Sequence, residues 1–324
     1  MKVVQLTEFG GPEVLKLVEQ EKLVPKGHEV LIEIKAIGVN YADTARREGQ
    51  YVVHTPLPFI PGAEIAGVIA EVGEKVTKVR PGMRVVTLIE SGGYAEYAIA
   101  DEHTLIPLPE TLDFHSAAAL PLQGLSAYHI LKTMGRLQEE DSVLIHAAAG
   151  GVGTIAVQLA KLFGARQVIA TASSQEKLQL ACEMGADVLV NYTKPNWDKQ
   201  VLEATGGKGV DVALEMAGGD IFHKTLNCLA AYGRLVIYGV ASGSQANFYP
   251  SALMARNQSI IGFFLPQIMR KPDLVQTSLA ELLMYLGSGK LTLTIGGVYP
   301  LEKAATVHTL LQSRKTRGKL ILEP

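Results

Sequence analysis

The sequence has few cysteines and little net charge, and each shortage excludes a class of protein. Only two of 324 residues are cysteine, so we expect neither a disulfide framework nor a cysteine-rich zinc lobe. The 30 Lys+Arg nearly balance the 32 Asp+Glu, which gives a formal net charge of −2. Such a chain has no general electrostatic attraction for nucleic acid or for an anionic membrane. The composition therefore favours neither kind of partner.

Long hydrophobic runs are also missing. No apolar run reaches the roughly 18 residues that a membrane-spanning helix needs, and Gln5, Thr7 and Glu8 interrupt the stretch where a signal peptide would have its apolar core. The hydrophobic share of 48% is nevertheless ample for buried cores. We expect a soluble, cytoplasmic protein, and the length predicts about two domains.

The first part of the chain predicts a mostly β domain. Up to about residue 120 it is rich in glycine and proline, and short apolar runs at 30–36 and 65–72 are separated by turn-forming prolines. The last part, 265–324, contains a predicted helix over 274–286 and predicted strands over 291–295 and 320–322. We expect it to return to the first domain, which would then comprise 1–122 and 265–324.

Between these parts, over 123–264, strands and helices alternate. The predicted strands are 143–147, 167–171, 188–191, 210–215, 234–238 and 259–264. Six strands joined by helical crossovers predict an α/β, doubly wound parallel sheet, the Rossmann fold.

A glycine cluster lies between the first predicted strand and helix of this domain. Gly150, Gly151, Val152 and Gly153 would let a backbone approach a pyrophosphate, and a helix N-terminus would offer its N–H groups to that anion. Ala148 stands where such patterns commonly have their first glycine, so the motif is imperfect. By itself the cluster would also fit a tight turn, but its place after a strand and before an amphipathic helix favours dinucleotide binding.

The end of the second strand favours NADPH over NADH. No carboxylate is found over 171–174, where an acidic residue would bind the ribose 2′-OH of NADH. Ser173, Ser174, Lys177 and Tyr192 instead offer hydroxyls and an ammonium that suit a 2′-phosphate. The alternative is that Ser173 only caps a helix and Lys177 only faces solvent.

Several motifs resemble those of the medium-chain dehydrogenase/reductase superfamily, specifically its zinc-free quinone oxidoreductase branch. In the first domain they are AIGVNYAD at 36–43, PGAEIAGV at 61–68, PGMRV at 81–85 and GYAEY at 93–97. In the second they are QGLSAY at 123–128, AAGGVG at 148–153 and GKGVD at 207–211. Met83 replaces the family's usual Asp.

The resemblance implies a fold and a set of site residues. It implies a GroES-like catalytic domain with an inserted Rossmann domain, an active site in the cleft between them, and a homodimer. It places Asn40, Tyr41 and Gln123 at the substrate, where Asn40 or Tyr41 would donate a hydrogen bond to a carbonyl oxygen, although Tyr41 would equally fit a packing role. The residues it implies around the cofactor are Ser126, Gly239, Val240, Ala241, Phe263, Phe264 and Leu265.

The basic run that contains Arg314, Lys315, Arg317 and Lys319 has two interpretations. The first is a solvated edge. The second is a phosphate contact made by Arg317 or Lys319.

The resemblance also implies that zinc is missing. Zinc-dependent relatives have a Cys where this chain has Asn40 and a His where it has Ala63, and both Cys182 and Cys228 fall in the predicted Rossmann domain. The histidines show no ligand spacing along the sequence, and His146, before the glycine cluster, is expected to be a packing residue. We therefore predict no metal site.

Without a Lewis acid, hydride acceptors with conjugated carbonyl groups are favoured over alcohol oxidation. The leading hypothesis is an NADPH-dependent quinone oxidoreductase. A reductase of enones, enals or enoyl-thioesters on the same scaffold is the nearest alternative. A cofactor-bound protein that interacts with RNA is an alternative of another class, and the near-neutral charge argues against it.

Overall fold

The computed structural model describes residues 1–324, which divide into two compact units. Unit 1 comprises Met1–Leu122 and Leu293–Pro324, and unit 2 comprises Gln123–Thr292. Unit 2 is thus an insertion in the sequence of unit 1. None of the helices is long and apolar enough to cross a membrane.

The secondary structure consists of fifteen strands and ten α-helices. The strands are β1 (Lys2–Gln5), β2 (Lys16–Glu19), β3 (Glu29–Val39), β4 (Glu64–Val72), β5 (Arg84–Leu88), β6 (Tyr97–Asp101), β7 (Ile106–Pro107), β8 (Ser142–Ile145), β9 (Gln167–Ala172), β10 (Val188–Asn191), β11 (Val210–Glu215), β12 (Leu229–Ile237), β13 (Ser259–Gly262), β14 (Ile295–Pro300) and β15 (Lys319–Glu323). The helices are α1 (Tyr41–Arg47), α2 (Phe114–Ala117), α3 (Pro121–His129), α4 (Gly151–Leu162), α5 (Gln175–Glu183), α6 (Trp197–Ala204), α7 (Gly219–Asn227), α8 (Leu265–Met269), α9 (Pro272–Gly287) and α10 (Ala304–Gln312).

Unit 1 is built on a seven-stranded sheet. Its strand order is β14-β15-β3-β4-β5-β7, with β6 also paired to β3, and β1 and β2 form a separate antiparallel pair. All pairs in the large sheet are antiparallel except β14 with β15. Val30 and Ile32 on β3 and Ile65 on β4 are fully buried, because alternate side chains of the sheet point into one core.

Unit 2 contains a six-stranded, entirely parallel sheet in the order β10-β9-β8-β11-β12-β13. Helices cover both faces of such a sheet, so successive side chains of its central strands are buried: Val143, Leu144 and Ile145 on β8 are all fully buried. The order is that of a doubly wound dinucleotide-binding fold. The predicted fold class, a Rossmann sheet inserted in a mostly β domain, is confirmed.

The predicted domain limits differ from the compact units at one point. We expected 265–292 to belong with unit 1, but this segment lies in unit 2. Helix α9 is held there by polar contacts with the end of α3: His129 Nε2 lies 3.1 Å from Ser278 Oγ, and the Tyr128 hydroxyl donates to Glu281 at 2.6 Å. An amphipathic helix does not reveal from its own sequence which partner its buried face contacts.

The strand predicted over 291–295 is also wrong, since β14 begins only at Ile295. The Thr292 N–H donates instead to the side chain of Gln158 at 2.8 Å. The Gln158 side chain therefore accepts the hydrogen bond that the Thr292 N–H would donate to a neighbouring strand.

Candidate active site

The predicted cofactor residues of unit 2 gather at one edge of its sheet. Because the six strands are parallel, their carboxyl ends all meet at the same edge. The glycine cluster follows β8, Ser173 follows β9, Tyr192 follows β10, and Gly239 and Phe263 come shortly after the ends of β12 and β13. Strands β9 and β11 flank β8, so the chain order reverses there, and ligands of doubly wound sheets bind beside such a reversal.

The glycine cluster forms a tight turn into helix α4. Ala147 has a φ of +49°, and Gly150 then takes an extended conformation as the residue that precedes the helix. A Cβ on Gly153 would lie 2.2 Å from the carbonyl oxygen of Ala147, so this position admits no side chain without a backbone shift. No side chain caps α4, and the N–H groups of its first turn remain available to an anion.

Gln123 and Ser126, both on α3, are buried polar residues of this unit. The amide of Gln123 lies so close to Gly151 that a Cβ there would be 2.1 Å from it. The structure therefore brings Gln123 next to the glycine cluster. Residue 151 must be glycine because any side chain there would collide with Gln123. The sequence alone does not reveal this contact.

The region after β9 contains the groups predicted to bind a 2′-phosphate. Ser174 precedes α5 and accepts a hydrogen bond from the Lys177 N–H at 3.4 Å, so Ser174, and not Ser173, caps this helix. Lys177 is half-buried in the first turn, and the Tyr192 N–H donates to Ala172 at 3.2 Å. Ser173 and Tyr192 thus follow the ends of two neighbouring strands, and Lys177 lies in the first turn of the helix after Ser173.

The remaining cofactor candidates of unit 2 lie in the loops after β12 and β13. The Ala241 N–H donates to Met216 at 2.8 Å, and the Phe263 N–H donates to Ile237 at 2.8 Å. Phe264 directly precedes α8, whose first residue, Leu265, is buried, whereas Val240 is exposed. These backbone hydrogen bonds fix the two loops and occupy the N–H groups of Ala241 and Phe263.

Glu215, at the carboxyl end of β11, was missed by the sequence reasoning. Its side chain is 1% exposed and accepts N–H groups of Ala217 at 2.6 Å and Gly218 at 3.0 Å, while burial raises its pKa. Glu215 therefore shapes the loop next to the glycine cluster. An acidic residue at the end of a buried strand, in the sequence Glu-Met-Ala-Gly-Gly over 215–219, was the available signal.

His146 has the predicted packing role. It is buried between the hydroxyls of Thr171 and Thr225, at 2.8 and 2.7 Å, and its ring meets that of Trp197 edge-on. Burial lowers its pKa to about 4, so it is neutral near pH 7.

In unit 1, Asn40 belongs to a buried polar cluster. Its Nδ2 donates to the Gly38 carbonyl at 3.1 Å and to Glu64 at 3.2 Å, and its Oδ1 accepts from the Lys319 ammonium at 2.7 Å. Its backbone N–H donates to Asp43 at 2.8 Å. With its amide committed to these partners and only 4% of the residue exposed, Asn40 positions the start of α1.

Tyr41 is the first residue of α1 and is 39% exposed, in contrast to its neighbour Asn40. Partial burial and the nearby Glu48 carboxylate raise the pKa of Tyr41, so its hydroxyl stays protonated near pH 7. Among the predicted catalytic residues of unit 1, Tyr41 thus offers the accessible hydrogen-bond donor.

The basic run is divided between surface and interior. Arg314, Lys315 and Arg317 are exposed, but Lys319 is 1% exposed and lies 2.5 Å from Glu64. Both interpretations were therefore wrong for Lys319, which is a partner in a buried ion pair. Arg317 lies in unit 1, unlike the other predicted cofactor residues.

Comparison with known proteins gives matches along the chain. Residues 26–110 match the family model "Alcohol dehydrogenase GroES-like domain", and residues 151–281 match "Zinc-binding dehydrogenase". The human quinone oxidoreductase is 37% identical over 325 residues, covering 99% of this chain and 97% of the relative. The quinone oxidoreductase of Pseudomonas aeruginosa is 35% identical, covering 100% and 99%. The structure of the Escherichia coli quinone oxidoreductase complexed with NADPH superimposes with a TM-score of 0.95 at 32% identity, covering 100% of both chains.

The chain belongs to the quinone oxidoreductase family of the medium-chain dehydrogenases/reductases.

Zinc does not fit the residues at the positions that bind it in zinc-dependent members of the superfamily. Ala63 offers no ligand atom, and the oxygen of Asn40 already accepts from the Lys319 ammonium. Glu64 is engaged by the same ammonium and by the Leu122 N–H at 2.7 Å. A cation placed here would be repelled by Lys319, so we derive no chemistry from a metal at this cluster.

Proposed function

We propose that this chain is an NADPH-dependent, zinc-independent quinone oxidoreductase. The observation that carries the proposal is the buried Lys319 ammonium on Asn40 and Glu64, which leaves no place for a catalytic metal in a chain that matches quinone oxidoreductases over 99% of its residues. A hydride acceptor must then delocalise charge by its own conjugation, as quinones do.

The cofactor would be held along the carboxyl edge of the unit 2 sheet. The first turn of α4, entered through Gly150, would bind the pyrophosphate with its N–H groups, because no side chain caps this helix. Lys177, with Ser173 and Tyr192, would bind the 2′-phosphate that NADH lacks. NADPH would supply the hydride, and the loops at Gly239–Ala241 and Phe263–Leu265, together with Ser126, would orient it.

On unit 1, Tyr41 would donate a hydrogen bond to the carbonyl oxygen on which negative charge develops. Its raised pKa keeps the proton on the hydroxyl at neutral pH. Asn40 would act through Tyr41 as a positioning residue, since it anchors the start of α1. Gln123 would keep the glycine cluster in place on unit 2.

A panel of hydride acceptors tests this function. We expect NADPH oxidation to be fastest with quinones and unchanged after exhaustive dialysis against a strong chelator. Higher kcat/KM with 2-alkenals, enones or enoyl-CoA would assign double-bond reduction instead. Tight NADPH binding without turnover of any acceptor would favour a binding protein, and activity restored only by zinc would contradict metal independence.

Replacing Tyr41 with phenylalanine separates its proposed role from packing. We expect Tyr41→Phe to lower kcat about tenfold to a hundredfold while NADPH affinity stays constant, because only a transition-state hydrogen bond is lost. Tyr97→Phe on β6 is the matched control and should retain wild-type kcat. An unchanged kcat in Tyr41→Phe would leave Tyr41 as a packing residue.

We also propose a cytoplasmic homodimer. The strand β13 is an edge of the unit 2 sheet, and Tyr249 and Met254, shortly before it, are 84% and 75% exposed. An unpaired strand edge and exposed apolar side chains are each suited to contact with a second copy. The free thiols of Cys182 and Cys228 suit a reducing compartment. Sedimentation analysis would test the assembly.

A further inference from the structure

A cluster of two histidines and a glutamate lies at the end of the β3–β6 pair in unit 1. The antiparallel register pairs Glu29 with Asp101, and the Glu102 N–H donates to the His28 carbonyl at 3.0 Å. This pairing brings His28, just before β3, next to Glu102 and His103, just after β6. The sequence gives no indication of this arrangement, because 74 residues separate His28 from Glu102.

The three side chains can point their ligand atoms at one position. One ligand atom from each of His28, Glu102 and His103 lies within 4.8 Å of the other two. The Nδ1 of His28 is 2.7 Å from Glu102 Oε1, and the two imidazole rings meet edge-on with centroids 5.4 Å apart. The histidine side chains are about half exposed, at 49% and 51%, so an ion from solvent can reach them.

Neighbouring groups hold these ligands in orientation. Asp101 Oδ1 lies 2.7 Å from His103 Nδ1, and a metal-binding imidazole commonly donates its other N–H to a carboxylate in this way. The second oxygen of Glu102 accepts the N–H groups of Thr77 at 3.0 Å and Lys78 at 2.8 Å.

We propose that His28, Glu102 and His103 bind one divalent transition-metal ion, with water completing the coordination. Two imidazoles and a carboxylate are ligands for Zn²⁺, Ni²⁺ or Cu²⁺, whereas Ca²⁺ and Mg²⁺ require mainly oxygen ligands. Around Zn²⁺, tetrahedral ligand atoms are about 3.3 Å apart. The ligand atoms lie within 4.8 Å of one another, and rotation of the half-exposed rings would bring them to this spacing. The metal would then replace the His28–Glu102 hydrogen bond.

The role of this ion is structural, because the cluster is remote from Asn40 and Tyr41. Those residues follow the opposite end of β3, and an eleven-residue strand spans roughly 35 Å. The ion would join the start of β3 to the end of β6, where Glu102 already holds the turn at Thr77 and Lys78. This site is independent of the proposed catalytic function.

Calorimetric titration of untagged, chelator-treated full-length protein with Zn²⁺ tests the site. We expect one equivalent to bind and to raise the unfolding midpoint by a few degrees, because an ion that binds only the folded state stabilises it. Co²⁺ should give the visible absorption bands of a tetrahedral site. The rate of quinone reduction should not change with this first equivalent.

Histidine variants connect the binding to these residues. His103→Ala and His28→Gln should each weaken Zn²⁺ binding at least about tenfold. The glutamine keeps a donor for Glu102, so this variant should fold as the wild type does, which circular dichroism in chelator would verify. His115→Ala is the matched control, since His115 is also paired with a carboxylate, Glu323, at 2.6 Å but lacks a second histidine. Binding that is absent, or equally strong in His28→Gln and His103→Ala, would overturn the proposal.

Discussion

At the scale of single residues, the ammonium of Lys319 and the carboxylate of Glu64 form the most deeply buried ion pair of the chain. Their side chains are 1% and 0% exposed, so each charge depends on the other and on Asn40 for compensation. Removal of one partner from such a pair leaves an uncompensated charge, which commonly costs about 3–5 kcal/mol.

Lys319→Met is therefore expected to lower the free energy of unfolding by about 3 kcal/mol or more. The double variant Lys319→Met/Glu64→Gln should recover much of this loss, because it removes both charges and keeps the glutamine oxygen available to the Leu122 N–H. Urea unfolding of both single variants and the double variant measures the coupling. Strictly additive effects would show that the two charges do not stabilise each other.

Lys177→Ala is expected to weaken NADPH binding about tenfold and to leave NADH binding nearly unchanged. A hydrogen bond between charged groups contributes about 1.5–3 kcal/mol, and solvent at this half-buried position brings the effect toward the lower value. Tyr192→Phe should act in the same direction but less. Paired titrations of the two cofactors at fixed ionic strength measure the selectivity. Equal weakening of NADH and NADPH would make Lys177 a structural residue.

At the scale of elements, the turn before α4 allows packing and cofactor binding to be tested separately. A Cβ on Gly153 would collide with the backbone of Ala147 at 2.2 Å, whereas a Cβ on Gly150 would meet the same oxygen at 3.2 Å. We expect Gly153→Ala to destabilise the protein by about 1–3 kcal/mol. Gly150→Ala should unfold near the wild-type midpoint and yet bind NADPH more weakly. Wild-type affinity in folded Gly150→Ala would mean that no phosphate approaches this residue.

Strands of unit 2 were predictable because buried parallel strands are short apolar runs between turn residues. The segments 188–191 and 210–215 match β10 and β11 residue for residue. Strand β12 begins at Leu229, before the predicted start at 234. Its first part contains an irregular bend at Tyr232, which has a φ of +63°, and no apolar pattern in the sequence indicates such a bend. The glycine cluster was predictable for a similar reason, because its residues are adjacent in the sequence.

The parts that could not be predicted depend on contacts between distant residues. Nothing near Lys319 indicates that Glu64, 255 residues away, neutralises it. Gln123 was singled out by resemblance, but its contact with Gly151 comes from the packing of two helices. A side chain whose partner is distant in the sequence has no nearby residues that indicate the pairing. Lys319 lies in a basic run, so the sequence predicts a surface position for it.

At the scale of the whole molecule, three buried histidines make the folded state less stable as the pH decreases. Burial lowers the pKa of His146 and His129 to about 4 and, with the nearby Arg47 charge, that of His308 to about 3. In the unfolded chain they take up protons near pH 6.5, so the unfolded state binds more protons and stability falls as pH decreases below that value. Asp43 acts oppositely, because burial raises its pKa to about 6.

We expect the free energy of unfolding to fall by about 5 kcal/mol between pH 7 and pH 5, since each of the three histidines contributes about 2 kcal/mol and Asp43 offsets about 1 kcal/mol. Denaturant unfolding at several pH values measures the slope. His308→Gln should remove about 2 kcal/mol of this fall. A flat profile over this range would show that the histidines are protonated in the folded state.

The insertion of unit 2 into unit 1 has a consequence for synthesis on the ribosome. Strands β3 and β4 emerge first, but β15, which pairs Leu320 with Val39 on β3, follows only after the whole of Gln123–Thr292 has been translated. During that interval the nascent chain has an open edge on β3 and a Glu64 carboxylate without its ammonium. The inserted unit, whose six strands are contiguous in sequence, meets no such delay. Vectorial synthesis thus imposes an order in which the inserted unit folds first and the host sheet closes last.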